Sequence, residues 1–220
     1  MTPDALYRLM AWLSPAYPVG AYSHSHALEW AVEARAVTNA AQAQDWIEQV
    51  VRLGGGRNDA ILFAHSWRRT HDPAAIADLA ELALATATSR ERRIEALSQG
   101  RAFLAATRAA WPCAALDCAP ADTPYPVAVA LAAAGHGVPL APALAAYLQA
   151  WAANLVSAAV RLVPLGQSDG QRIIAALAPA VAAVAAEAEH ASLDALGGSA
   201  LLAEIAAMRH ETQYTRLFRT

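Results

Sequence analysis

Residues able to do chemistry are few and dispersed along this chain. His24-Ser25-His26 sets two imidazoles around one residue; both could reach one metal ion from an extended segment, but on a helix they diverge. No third ligand lies nearby, so the pair reads as polar residues at a helix start. Cys113 and Cys118 match neither a zinc site nor a redox Cys-x-x-Cys and read as small reduced hydrophobes. Serines, histidines and aspartates are present, but no G-x-S-x-G elbow follows a strand. His65, His71, His136 and His190 are isolated. Gly54-Gly55-Gly56 lacks the preceding strand and the lysine of a phosphate cradle, so it reads as a helix terminator. Glu91, Arg92, Arg93 and Glu95 cluster near a helix start and read as a solvated face. No cofactor, no metal site and no catalytic set is expected.

Composition sharpens the exclusions. All 16 basic residues are arginine and there is no lysine, which removes the P-loop and any lysine Schiff base. A formal net charge of −3 argues against a generic nucleic-acid binder, which would carry a basic stripe. Alanine supplies 59 of the 220 residues, and alanine favours helix over strand.

The elements that must position any site are therefore helices. Asp4 to Leu13 forms the first, stopped by the Pro-rich loop Ser14–Gly20. Ser23 or Ser25 caps a second that carries Leu28 and Trp30. A third bears Trp46, Ile47, Val50 and Val51 and ends at the glycines; a fourth runs from Asn58 through Trp67. Pro73 opens a fifth, and Thr88 with Glu91 forms a capping box for a long sixth with Ile94, Leu97, Leu104 and Trp111 on its apolar spacing. The proline-rich stretch Trp111 to Pro126 reads as a connection. Two uncharged helices follow near Val127–Ala134 and Pro142–Val163, the second apolar on almost every face and so central or at an interface. Ser168 and Gln171 cap a helix that Pro179 kinks, and Gly197-Gly198 precedes a last helix with Leu201, Leu202, Ile205 and Met208. The expectation is an all-α, single-domain bundle of roughly ten helices over residues 1–220.

No acidic or basic side chain occurs between Asp122 and Arg161. That stretch is broken by prolines and glycines and its apolar content is largely alanine, so it reads as a buried helical hairpin rather than a membrane span. Without a signal-peptide pattern, a soluble cytoplasmic protein is expected.

Two segments do not suit a plain bundle. LSPAYPVGAYSHSHALEWAVE concentrates prolines, tyrosines and serines in one turn region, and MRHETQYTRLFRT sets Tyr214, Leu217 and Phe218 among Arg209, Arg216 and Arg219. Aromatics with arginine are enriched in interface hot spots, whereas termini ordinarily fray. A docked last turn and a partner-binding tail remain open at this level. With VPLGQSDGQR at 163–172, these blocks resemble, in order and spacing, those of the UreF family of urease accessory proteins. The first resembles that family's LSP-x-PVG-x-[FY]-S/T pattern and its later S-x-G-LE, with Ala27 in place of glycine.

The resemblance implies an all-helical, non-enzymatic homodimer that bridges UreD (UreH) to the GTPase UreG and serves nickel delivery to apo-urease. It places partner binding at Tyr22, Ser23 and Glu29 in the first block and at Arg209, His210, Glu211, Tyr214, Arg216, Leu217 and Phe218 in the tail, residues 209–220. Asp169 and Gln171 match the middle block, where helix capping explains them equally well. The alternatives are a GTPase activator that supplies Arg216 or Arg209 as an arginine finger, and a protein that binds nickel directly. The tail is expected to order only where a partner provides a groove.

Overall fold

The computed structural model describes residues 1–220, and it contains ten α-helices, three short 3-10 turns and no strand. The helices are α1 (Pro3–Trp12), α2 (Leu28–Glu33), α3 (Ala40–Leu53), α4 (Gly55–Arg68), α5 (Pro73–Ala85), α6 (Arg90–Ala110), α7 (Tyr125–Gly135), α8 (Leu140–Leu162), α9 (Gln167–His190) and α10 (Leu201–His210). This is the expected all-α architecture.

Capping residues set several of the helix starts. Thr2, Asn39, Asp72 and Ser89 accept from backbone N–H groups of the first turns of α1, α3, α5 and α6. For α6 the cap is thus Ser89 rather than Thr88, whose hydroxyl bonds Glu204 instead. The start of α9 is closed by Asp169, which accepts the Gly166 N–H at 3.0 Å, rather than by Ser168 with Gln171. α3 ends at Gly54 and α4 begins on the next residue, so the glycines do terminate a helix. α9 continues through Pro179.

The charge-free sequence makes the centre of the bundle. α7 buries every residue from Pro126 to Ala133 and lies between α4 and α6. α8 buries Leu144, Tyr147, Leu148, Trp151, Leu155 and Val156 and runs along α9, with α3 and α4 beside it. Alanine on these surfaces lets backbones approach closely, and Gly100 does so at a point where any Cβ would strike the Thr123 carbonyl. α8 and α9 are long and apolar enough to cross a membrane by length and composition alone, but α8 is mostly covered by its own chain.

Two helices depart from the faces their apolar spacing suggested, α6 in part and α10 throughout. On α6, Leu104 is buried as its spacing suggested and Leu97 and the C-cap Trp111 are half-buried, but Ile94 is exposed, and Glu91, Glu95, Gln99, Phe103 and Thr107 form the buried stripe. On α10, Leu201, Leu202, Ile205 and Met208 are exposed while Ala206, Ala207 and His210 face inward. In both, the inward stripe ends in charged groups that find charged partners, as the next subsection describes.

Candidate functional site

The first block, the start of α6 and the tail meet in one clasp. Gly20 takes the left-handed conformation with φ 72, turning the chain into a 3-10 turn at Ala21–Ser23 that sets Tyr22 outward. The chain re-enters at His24, Ser25 and His26, all buried. α2 then starts at Leu28, after Ala27 with φ 63, and Ser25 Oγ accepts the Glu29 N–H at 3.3 Å. Ser25 thus supports the helix start, whereas Ser23 Oγ turns back to donate to the Gly20 carbonyl.

Glu29 holds the tail. Its carboxylate accepts the Leu217 N–H at 2.6 Å and the Phe218 N–H at 3.0 Å, and one oxygen lies 3.0 Å from His210 Nε2. The other imidazole nitrogen of His210 lies 2.7 Å from Glu91, which also accepts from Arg216 at 3.0 Å. A neutral imidazole has one N–H, so this two-sided contact is complete only with one more proton among the ring and its two carboxylate partners. Burial pushes the Glu91 carboxyl above its ordinary range, and His210 and Arg216 pull it back.

A second carboxylate clamps the last residue. Thr220 Oγ donates to Glu95 at 3.1 Å while accepting from His24 Nδ1 at 2.8 Å. The Thr220 carbonyl oxygen accepts from Ser25 N–H at 2.6 Å and Ser25 Oγ at 2.9 Å, and the Arg219 N–H donates to the Ser23 carbonyl. The remaining lone pairs of Glu95 meet His26 Nε2, Arg92 and Gln99 at 2.9, 2.8 and 3.1 Å. Arg92 also reaches the His26 ring at Nδ1. Desolvation lowers the pKa of His24, against the pull of Glu95. Both histidines of the His-Ser-His triplet are therefore spent on the tail and α6, and Glu91, Arg92 and Glu95 are internal struts, while Arg93 keeps to the solvated face.

Phe218 completes the clasp. It is 3% exposed, and the Arg161 guanidinium sits 4.4 Å from its ring centroid. The tail is thus ordered on its own chain without a partner's groove. Glu29, His210 and Phe218 are buried and do not offer their side chains to a partner; they hold the segment that carries the others. Ser23 and Glu211 are half-buried, Glu211 accepting the Arg90 N–H. Tyr22, Arg209, Tyr214, Arg216 and Leu217 remain exposed, Tyr214 and Leu217 as a loop between the two anchors.

Two further features adjoin the clasp. A cavity of about 260 Å³ lies under the Ser14–Tyr22 loop, floored by Tyr125, Tyr147, Trp151 and Gln99. Beside it, Asp59 accepts from the Tyr147 hydroxyl at 2.9 Å. Burial pushes the Asp59 carboxyl up to about 7, against the Tyr147 hydrogen bond and with the Glu95 charge. Sequence reading missed Glu91, Glu95 and Asp59. For the first two the signal was there: Glu91, Glu95 and Gln99 continue at a spacing of four into Phe103 and Thr107, one helical stripe. Nothing around Asp59 sets it apart.

Comparison with known proteins gives one consistent result. The family model described as UreF matches residues 37–178. The chain is 53% identical to the urease accessory protein UreF of Rhodopseudomonas palustris (strain BisB18), over 98% of this chain and 92% of that protein. It is 53% identical to the urease accessory protein UreF 1 of Brucella canis, over 98% and 94% respectively. The urease accessory protein UreF of Brucella ovis is 52% identical over the same shares.

Proposed function

The chain belongs to the UreF family of urease accessory proteins, and from that premise we propose that it is a non-catalytic chaperone of urease maturation, bridging UreD (UreH) to the GTPase UreG during nickel insertion into apo-urease. The observation that carries this reading is the clasp. Buried charges hold a tail whose Tyr214, Arg216 and Leu217 stay outside, close in the fold to the first block with exposed Tyr22. Charged groups spent on architecture leave no free nucleophile or base in the clasp, while rigidly presented aromatic and arginine side chains suit recognition. The site of action is the cytoplasm, where the partner GTPase would find its nucleotide.

Arg216 is already engaged by Glu91, which supports an anchor rather than a mobile arginine finger. The proposed assembly is a homodimer through the face of α8 and α9, where a groove of about 320 Å³ is lined by Ala145, Ala152, Ala153, Ala175, Ala178 and their neighbours. No charged residue lies between Arg172 and Glu187, so two identical faces can meet without like-charge repulsion.

Pull-down of purified UreD and UreG by this protein, with and without GTP, tests the proposal. Retention of both is expected; retention of neither would overturn it. A finger role would show as lowered GTP turnover for Arg216→Ala in an intact complex, and an anchor role as loss of the complex.

A further inference from the structure

Asp59 and Glu95 open onto the same small chamber, about 20 Å³, with His26, Arg92, Gln99, Tyr125 and Trp151 around it. Glu95 is the clamp on Thr220, so the chamber connects the bundle interior to the tail. The titratable and charged groups facing Asp59 come from four elements. Tyr147 of α8 donates to it, and Tyr125 of α7 lies beside it; burial raises the pKa of both phenols, so they stay neutral. Glu95 and Arg92 come from α6, and His26 from the segment before α2. Arg92 is committed to Glu95 and His26. An ionised Asp59 therefore adds a second negative charge to a chamber whose one nearby cation is already spent, in a medium that screens poorly.

We propose that Asp59 is a proton-responsive brake on the tail clasp: its neutral form leaves the Glu95 grip on Thr220 intact, and its ionised form repels the Glu95 carboxylate, weakens that grip and loosens Arg219 and Thr220. Burial and the Glu95 charge put the changeover in the neutral range. Tyr147 can donate to either form of Asp59, so the switch acts through charge rather than through a lost hydrogen bond. That the loosened segment is a partner-docking surface rests on the functional reading above; the brake itself does not.

The test is backbone amide hydrogen exchange on the full chain from about pH 6 to about pH 8.5, expressed as protection factors. The Arg219 amide and the Ser25 amide, which donates to the Thr220 oxygen, are expected in the wild type to lose protection on the order of threefold to tenfold, a coupling of half to one pKa unit. In Asp59→Asn the same amides should keep a flat profile. A parallel NMR titration of the wild type should show the Asp59 carboxyl and the Ser25 amide moving with one midpoint, which tests the coupling even if the variant folds poorly. Unchanged tail protection in the wild type, or an equal fall in Asp59→Asn, would overturn the brake. Since the readout contains no partner, a working brake in a protein that fails the pull-down would remove only the docking reading.

Discussion

Glu29 and Leu217 stand 188 positions apart, yet the Leu217 N–H donates to the Glu29 carboxylate at 2.6 Å, the shorter arm of a fork whose other arm is Phe218. The tail is held by main-chain groups, so the Glu29 anchor does not depend on which side chains the tail carries. Glu29→Gln turns an amide group toward a backbone donor and removes the charge facing His210. Charge-assisted hydrogen bonds of this kind contribute about 1.5–3 kcal/mol each, so a loss of roughly 2 kcal/mol or more is expected in urea denaturation. Limited trypsin digestion should then cut at Arg216 and Arg219 well before the bundle opens.

Phe218→Ala removes a buried ring under Arg161 and should cost about 3 kcal/mol. Leu217→Ala, two-thirds exposed, should change stability by less than about 1 kcal/mol. Thermal melts of the two variants separate the anchor from the presented surface; equal losses would mean that the assignment of faces is wrong.

Tyr22→Ala and Arg216→Ala should leave the fold standing. Tyr22 is 70% exposed and Arg216 makes one partly solvated ion pair, a contact worth about 0–1 kcal/mol. Both are expected to weaken the pull-down of UreD or UreG while melting within a few degrees of the wild type. Normal binding by both variants would remove these residues from the interface.

Stability should depend on pH through Asp59. Its folded pKa of about 7 lies above its ordinary 3.8, so the folded state holds a proton that the unfolded chain has released across that window. The stabilising proton is lost as pH rises toward 7. Between the two pKa values the contribution falls by about 1.4 kcal/mol per pH unit, and outside them it is flat. Urea midpoints of the wild type and Asp59→Asn should diverge from about pH 4 to about pH 7 and run parallel above it, the variant gaining at the alkaline end. His24, whose pKa is lowered by burial, acts in the opposite sense on acidification and cancels in the comparison.

Ala178→Glu sets a charge on the exposed alanine face of α9. Sedimentation is expected to show a monomer with an unchanged melting temperature. A variant that dimerises as the wild type does would exclude that face.

Sequence alone determined that this chain is a bundle of helices and roughly where each lies, because alanine, the capping residues and the proline and glycine breaks act locally. It also marked the uncharged stretch that became α7 and α8, since a helix without charge must be covered. The family, too, was legible in three short blocks. The face of α10 was not, and that of α6 only in its second half. Periodicity turns Ile94 or Leu201 inward by default, but Glu91 and Glu95 gain more from His210, Arg216, His26 and Thr220 than the aliphatic residues would from burial. Those partners lie more than a hundred positions away, apart from His26, and no local pattern announces them. The same holds for Asp59, an ordinary residue of α4 until folding sets it beside Glu95. Helix identity is decided by each residue's own backbone preferences; which face is inside, and which charges become struts, is decided only when distant segments meet.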